Sequence, residues 1–178
     1  MNRFSRAQQI ITIALVALCG LSLGARAAGA NPFDQTVAPL QTGDHLPPGA
    51  FFDQDGRRFS FSQLGTATTL LAFVYTRCTD ACPVITHKVE AVRAQLGAGP
   101  YRYVEVSIDP ARDTVRALKA YATANHLAAP GWLILTGSAS TVSGLCRAAG
   151  VSVIDNGKGE LVHNDRLIII APGGAIAD

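Results

Sequence analysis

No stretch of the chain limits its fold as tightly as Leu70–Pro83, LLAFVYTRCTDACP. The run Thr69–Tyr75 is continuously apolar, the pattern of a strand buried on both faces. Cys78 follows it. Cys82 comes four residues later, with Pro83 directly behind, where a missing N–H does no harm in a first helical turn. From Cys82 to Leu96 the apolar positions Val84, Ile85, Val89, Val92 and Leu96 recur near helical spacing. A helix starting near Asp80 or Ala81 brings both sulfurs to one side of its first turn. Its free N–H groups and dipole favour thiolate over thiol. Cα atoms one turn apart, roughly 6 Å, also fall within disulfide range. Such a pair either holds a soft metal ion or closes a disulfide, and packing alone does not explain two core cysteines placed this way.

The flanking sequence repeats the alternation. Phe51–Phe59 (FFDQDGRRF) reads as a hairpin turned by Asp55-Gly56. Tyr101–Ile108 is a second buried strand, Thr114–His126 a helix with Val115, Leu118 and Tyr121 on one face, and Trp132–Leu135 a third strand. Ser138–Ala149 is a third helix capped by Ser138. Val151–Ile154 and Leu167–Ile170 are further strand candidates. Strands alternating with helices imply an α/β layer fold, whose sites gather at the carboxyl ends of central strands. Cys78 follows the first such strand and Asp109 the second.

Residues 1–27 have the layout of a secretory signal peptide: Arg3 and Arg6, an apolar run Ile10–Ala25, and Ala25-Arg26-Ala27 as a cleavage site. An uncleaved membrane anchor is the alternative, although a run of about 16 residues is short for a span. In both cases the body lies outside the cytoplasm, periplasmic or facing the periplasm from the membrane. Residues 28–49, with Pro32, Pro39, Pro47 and Pro48, read as a linker, and 50–178 as one domain. Without Arg3, Arg6 and Arg26 the body has 12 basic against 13 acidic residues. That balance offers no electrostatic footprint for nucleic acid.

Export permits a disulfide, but the body holds an odd three cysteines, Cys78, Cys82 and Cys146. One reactive pair and one buried thiol fit that count, Cys146 lying in the apolar pattern of the third helix. Cys19 belongs to the leader, and Leu18 before it matches a lipoprotein cleavage site poorly. A bound metal needs a third ligand. His87 lies about 140° round the helix from Cys82, His126 ends a helix, and His45 is in the linker. His163 follows the Gly-rich turn Asn156–Gly159 and precedes Leu167–Ile170, so as a loop histidine beside a sheet edge it is the best placed of the four. A surface histidine is the competing reading. Two thiolates and an imidazole suit copper, with sulfur favouring Cu(I).

FVYTRCTDACP, VSIDPARDT, WLILTG and His163 ahead of LIII resemble the Sco/SenC/PrrC family of copper-binding assembly factors, over about Leu46–Pro172. The joint occurrence of YT-x-C-x-x-x-C-P and S-x-D-P-x-R-D-T is the specific part. The resemblance implies a thioredoxin-like fold with an N-terminal β-hairpin. It places the copper thiolates at Cys78 and Cys82 and the copper histidine at His163. It implies a site open to Cu(I) and Cu(II), and delivery to the binuclear copper centre of cytochrome c oxidase subunit II or another copper-accepting protein, with a thiol reductant keeping the pair reduced. A thiol–disulfide oxidoreductase is the alternative; it needs the two thiols but not the histidine. A peroxidase using one low-pKa cysteine is a third reading.

Around the pair, Asp109 is placed to steady a ligand or meet a partner, and Asp80 and Asp113 read as helix caps, with Arg112 pairing one of these acids. Two departures from the family pattern stand out. His163 is followed by Asn164-Asp165 where relatives carry a small hydroxyl residue, so either Asp165 orients the imidazole or the loop takes another shape. The sequence also stops at Asp178, which implies that the usual closing strand and helix are lacking and that a strand edge and a sheet face are left uncovered.

Overall fold

A computed structural model describes residues 38–79 and 81–178. The leader, Cys19, the first part of the linker and the capping role expected of Asp80 lie outside these. Among the described residues no helix is long and apolar enough to cross a membrane.

The strands are β1 (Phe51–Phe52), β2 (Arg58–Phe59), β3 (Thr68–Val74), β4 (Tyr101–Ser107), β5 (Trp132–Gly137), β6 (Val153–Asp155), β7 (Leu161–His163) and β8 (Ile168–Ile170). The helices are α1 (Ala81–Leu96), α2 (Val115–Ala124) and α3 (Ala139–Ala148), with a 3-10 turn at Phe61–Leu64. Six strands form one sheet in the order β2-β1-β5-β4-β3-β8. β3, β4 and β5 run parallel, and β1 and β8 pair antiparallel at their flanks. The parallel strands are joined through helices, as parallel pairing requires. Their side chains are buried almost throughout, which is why they read as apolar runs rather than alternating ones.

The buried stripe of α1 is Cys82, Ile85, Thr86 and Val89, the i, i+3, i+4, i+7 spacing of one helical face. Val84 and Leu96, expected on that face, are exposed, and a threonine takes the inner position. Thr114 caps α2 by accepting the Ala117 amide, and Ser138 caps α3 by accepting that of Thr141. The cap expected at Asp113 is therefore corrected by one residue. Cys146 is fully buried on α3, and burial pushes its thiol up to about 12.

Two regions depart from the expected outline. β6 and β7 form a separate two-stranded hairpin, so His163 ends a strand rather than sitting in a loop. After β8 the chain turns at Gly173-Gly174 and comes back along that strand. Ile169 donates to the Asp178 carbonyl and Ala177 to that of Ile169, both at 2.7 Å, and Ile176 bridges Ile170. The outer edge of β8 is thus covered by 175–178, contrary to the expected bare edge, while Leu167 and Ile169 keep their side chains exposed. Leu40 and Leu46 from the Pro-rich stretch pack on the core, and the Leu40 amide donates to Ala148 at the end of α3 (2.8 Å).

Candidate metal centre

β3 ends at Val74, and its chain continues through Tyr75 and Thr76 to Cys78. A buried carboxylate holds this turn. Asp113 accepts from the Thr76 amide (3.0 Å), the Thr76 hydroxyl (2.6 Å) and the Ser107 hydroxyl. Ser107 is the last residue of β4, so Asp113 ties the ends of two central strands to the turn before the first cysteine. This is a positioning role, and it replaces the cap read from the sequence. Only the pairing of Thr76 with a carboxylate 37 residues away reveals it, and no local spacing signals that.

Cys78 is half-buried, and Cys82, the second residue of α1, is fully buried. The Cys82 amide donates to the Cys78 sulfur at 3.2 Å, so the first thiol occupies the place of a side-chain cap on the opening turn of α1. No disulfide joins the two. Burial, helped by the adjoining Cys78 side chain, holds the Cys82 thiol far above the ordinary thiol range. Burial thus opposes the thiolate expected at Cys82. A helix dipole contributes about 1 kcal/mol, and desolvating a charge costs more. Tyr75 lies against the pair, and burial together with Cys78 raises its hydroxyl to about 12.

His163 is brought to this pair from β7. Its Nε2 lies 3.9 Å from the Cys82 sulfur. Its Nδ1 is 3.2 Å from the Asn164 carbonyl oxygen. A carbonyl only accepts, so this contact favours the neutral tautomer with its proton on Nδ1, the one that turns the Nε2 lone pair toward the sulfur. A 3.9 Å separation is within the reach of one shared ion, with metal bonds of about 2.3 Å to sulfur and about 2.0 Å to nitrogen. Among the described residues no three His, Cys, Asp or Glu side chains already enclose such an ion. The Cys82–His163 pair is aligned, and the Cys78 sulfur is turned to the α1 amide. Cys78 and His163 border a cleft of about 270 Å³ that also takes in Tyr75, Glu160 and Val162, and Cys82 is fully buried.

The other candidates stand apart. His45, His87 and His126 are all exposed, with His126 left-handed at φ 58° just past α2. His45 bridges Ala175. Asp109 is buried and accepts from Arg112 Nε at 2.6 Å, as expected of that acid and base. Arg112 also donates to the Gly159 carbonyl at the tip of the β6–β7 hairpin (3.1 Å). Asp165 does not orient the imidazole. It sits 3.9 Å from Lys88, both half-exposed, and the neighbouring Asn164 carbonyl takes that role.

Beneath the pair lies Glu105, a fully buried carboxyl on β4 that was not singled out in the sequence. One oxygen accepts the Thr86 hydroxyl (2.9 Å), which also meets the Tyr121 hydroxyl at 2.9 Å. The other has no hydrogen-bond partner among the described residues. Burial raises this carboxyl to about 7, against the opposing pull of Thr86 and the nearby Trp132 indole. The signal was a lone acid inside the buried run YRYVEVSI.

The SCO1/SenC family model matches residues 38–178. An SCO1 protein homolog of Bacillus subtilis is 27% identical over 136 residues, covering 74% of this chain and 70% of that one. Across the curated relatives it matches, the chain spans from 30% to 70% of their length. The structure of Arabidopsis thaliana ScoI, solved with copper bound, superposes with a TM-score of 0.65 at 25% identity, covering 76% of this chain and 86% of that one. That of BsSco, described as having a disulfide switch and as a member of the Sco family of cytochrome c oxidase assembly proteins, gives 0.64 at 24% identity, covering 82% and 86%. The fold is thus α/β and thioredoxin-like, with the N-terminal hairpin β1–β2 added at the β5 edge.

Proposed function

The chain belongs to the SCO1/SenC family, and from that premise we propose that it is a copper carrier, with Cys78, Cys82 and His163 as the ligands of its cargo. The observation that carries the reading is the Nε2 of His163 facing the Cys82 sulfur at 3.9 Å while its Nδ1 lies 3.2 Å from the Asn164 carbonyl oxygen. Two sulfurs and one imidazole form a soft donor set with room for Cu(I) and Cu(II).

The two thiols divide the work by depth. Cys78, at the cleft, meets an incoming ion first and turns away from the α1 amide to do so. Cys82, fully buried, closes the site last and gives up its proton as it binds. Because burial holds that thiol high, affinity rises with pH. Release runs in reverse: a partner's ligand displaces Cys78 and then withdraws the ion. Closing a Cys78–Cys82 disulfide passes two electrons and two protons to an oxidant and leaves no thiolate for copper, so loading requires a thiol reductant. The leader at 1–27 exports the domain at 50–178, and the recipient is the binuclear centre of cytochrome c oxidase subunit II or another copper-accepting protein.

Anaerobic titration of the reduced chain with Cu(I) tests this. About one equivalent binds the wild type. Cys78→Ala and Cys82→Ala lose it, and His163→Ala weakens it by roughly 100-fold. Unchanged affinity in Cys82→Ala removes the proposal, and reduction of a partner disulfide by His163→Ala with no copper held replaces it by an oxidoreductase.

A further inference from the structure

β6 and β7 bond to each other and, among the described residues, to no strand of the main sheet. No backbone ladder therefore aims His163 at the cysteines. The neck of the hairpin is instead closed by the residue after it. Asn164 Oδ1 accepts the Ser152 amide at 2.7 Å, and Asn164 Nδ2 donates to the Gly150 carbonyl at 3.1 Å. The amide can face only one way, because a backbone N–H only donates and a carbonyl only accepts.

Gly150 is itself fixed. It lies at φ +67° directly behind α3, where its amide donates to Arg147 and that of Val151 to Cys146, a left-handed helix ending. A Cβ there would collide with the Arg166 guanidinium and Pro39. Asn164 thus fastens the exit of β7 to the rigid end of α3, while its own carbonyl holds the Nδ1 proton of His163.

We infer that Asn164 is the positioning residue of the histidine arm: its side chain locks the hairpin neck, and the lock keeps the carbonyl where it selects the ring tautomer that presents Nε2 to Cys82. Only the consequence for copper rests on the carrier reading; the tautomer is a property of the protein alone. Partners behind a metal ligand typically change affinity by about 10- to 100-fold when removed.

The experiment uses the full reduced chain. Ring ¹⁵N NMR near pH 8, well above the usual histidine pKa of about 6.5, reads the His163 tautomer without copper, and Cu(I) alone is then titrated. In the wild type the proton sits on Nδ1. Asn164→Ala shifts it toward Nε2 and weakens Cu(I) binding by about 10-fold or more. Asn164→Asp keeps the Ser152 bond but sets an acceptor against the Gly150 carbonyl, and falls between the two. It also decides the matter if the alanine variant does not fold. An unshifted tautomer in both variants overturns the inference, as does undiminished Cu(I) affinity beside a wild type that binds. A wild type that binds no Cu(I) defeats the carrier reading, and the tautomer comparison still decides the role of Asn164.

Discussion

The six-stranded sheet and the two-stranded hairpin bring the cysteines and the histidine of the proposed site together by opposite means. The cysteines stand where β3 meets α1, on backbone hydrogen bonds to β4, with a buried carboxylate bracing the turn. His163 stands on three-residue strands tied to the rest by side chains: Asn164 at the neck, Arg112 at the tip. One side of the site is built into the core and the other is fastened to it. The contrast sets a thiol pair held by backbone ladders against an imidazole held by a few side-chain bonds, each contributing only about 1 kcal/mol.

Breaking the rigid side gives the largest effect. Asp113→Ala strips the acceptor from Thr76 and Ser107. A loss of about 2 to 4 kcal/mol in urea unfolding is expected, with Cu(I) affinity falling at least about tenfold. An Asp113→Ala protein as stable as the wild type would show that the turn needs no brace. Glu105 sharpens the same side through pH. Its carboxyl rises from 4.5 to about 7 on folding, so the folded state holds the proton more tightly. Stability is greatest below about pH 4.5 and declines as pH climbs through 7. Above that the cost is on the order of 3 kcal/mol, from 2.5 pH units at about 1.4 kcal/mol each. Glu105→Gln should therefore unfold at higher urea than wild type at pH 8 and at nearly the same urea at pH 4; equal midpoints at pH 8 would place the charge elsewhere. The fastened side yields least. Arg112→Lys keeps a cation for Asp109 but cannot span to the Gly159 carbonyl as the planar fork does. Stability should move by under about 1 kcal/mol, Cu(I) affinity by a few fold, and hydrogen exchange at the Leu161 and Asn156 amides should quicken. Unaltered exchange would mean the tip is held by packing alone.

The same division decides what could be read from the chain. The core side was legible because its elements are local: β3, α1 and the cap at Ser138 follow from runs, periods and hydroxyls a few residues apart. Asp113 was misplaced because Thr114 beside it is an equally good cap, and its true partners lie on another strand. The hairpin was half legible. Asn156–Gly159 marked a turn, but three-residue strands leave too short a pattern to announce themselves, and Leu161–His163 passed as loop. Asn164 was noticed only as a departure from the family, since its bonds to Gly150 and Ser152 depend on where α3 ends. Glu105 sat in plain view within an apolar run, and only the packing of Thr86 and Tyr121 above it gives it an environment.

Cys146, sealed on α3 with no partner sulfur among the described residues, turns the chain into its own gauge of integrity. A membrane-impermeant alkylating reagent applied to the native domain should count Cys78 readily, Cys82 slowly and Cys146 not at all. Capture of that last thiol by the reagent therefore signals that the core has opened, separately from any event at the cleft beside Cys78.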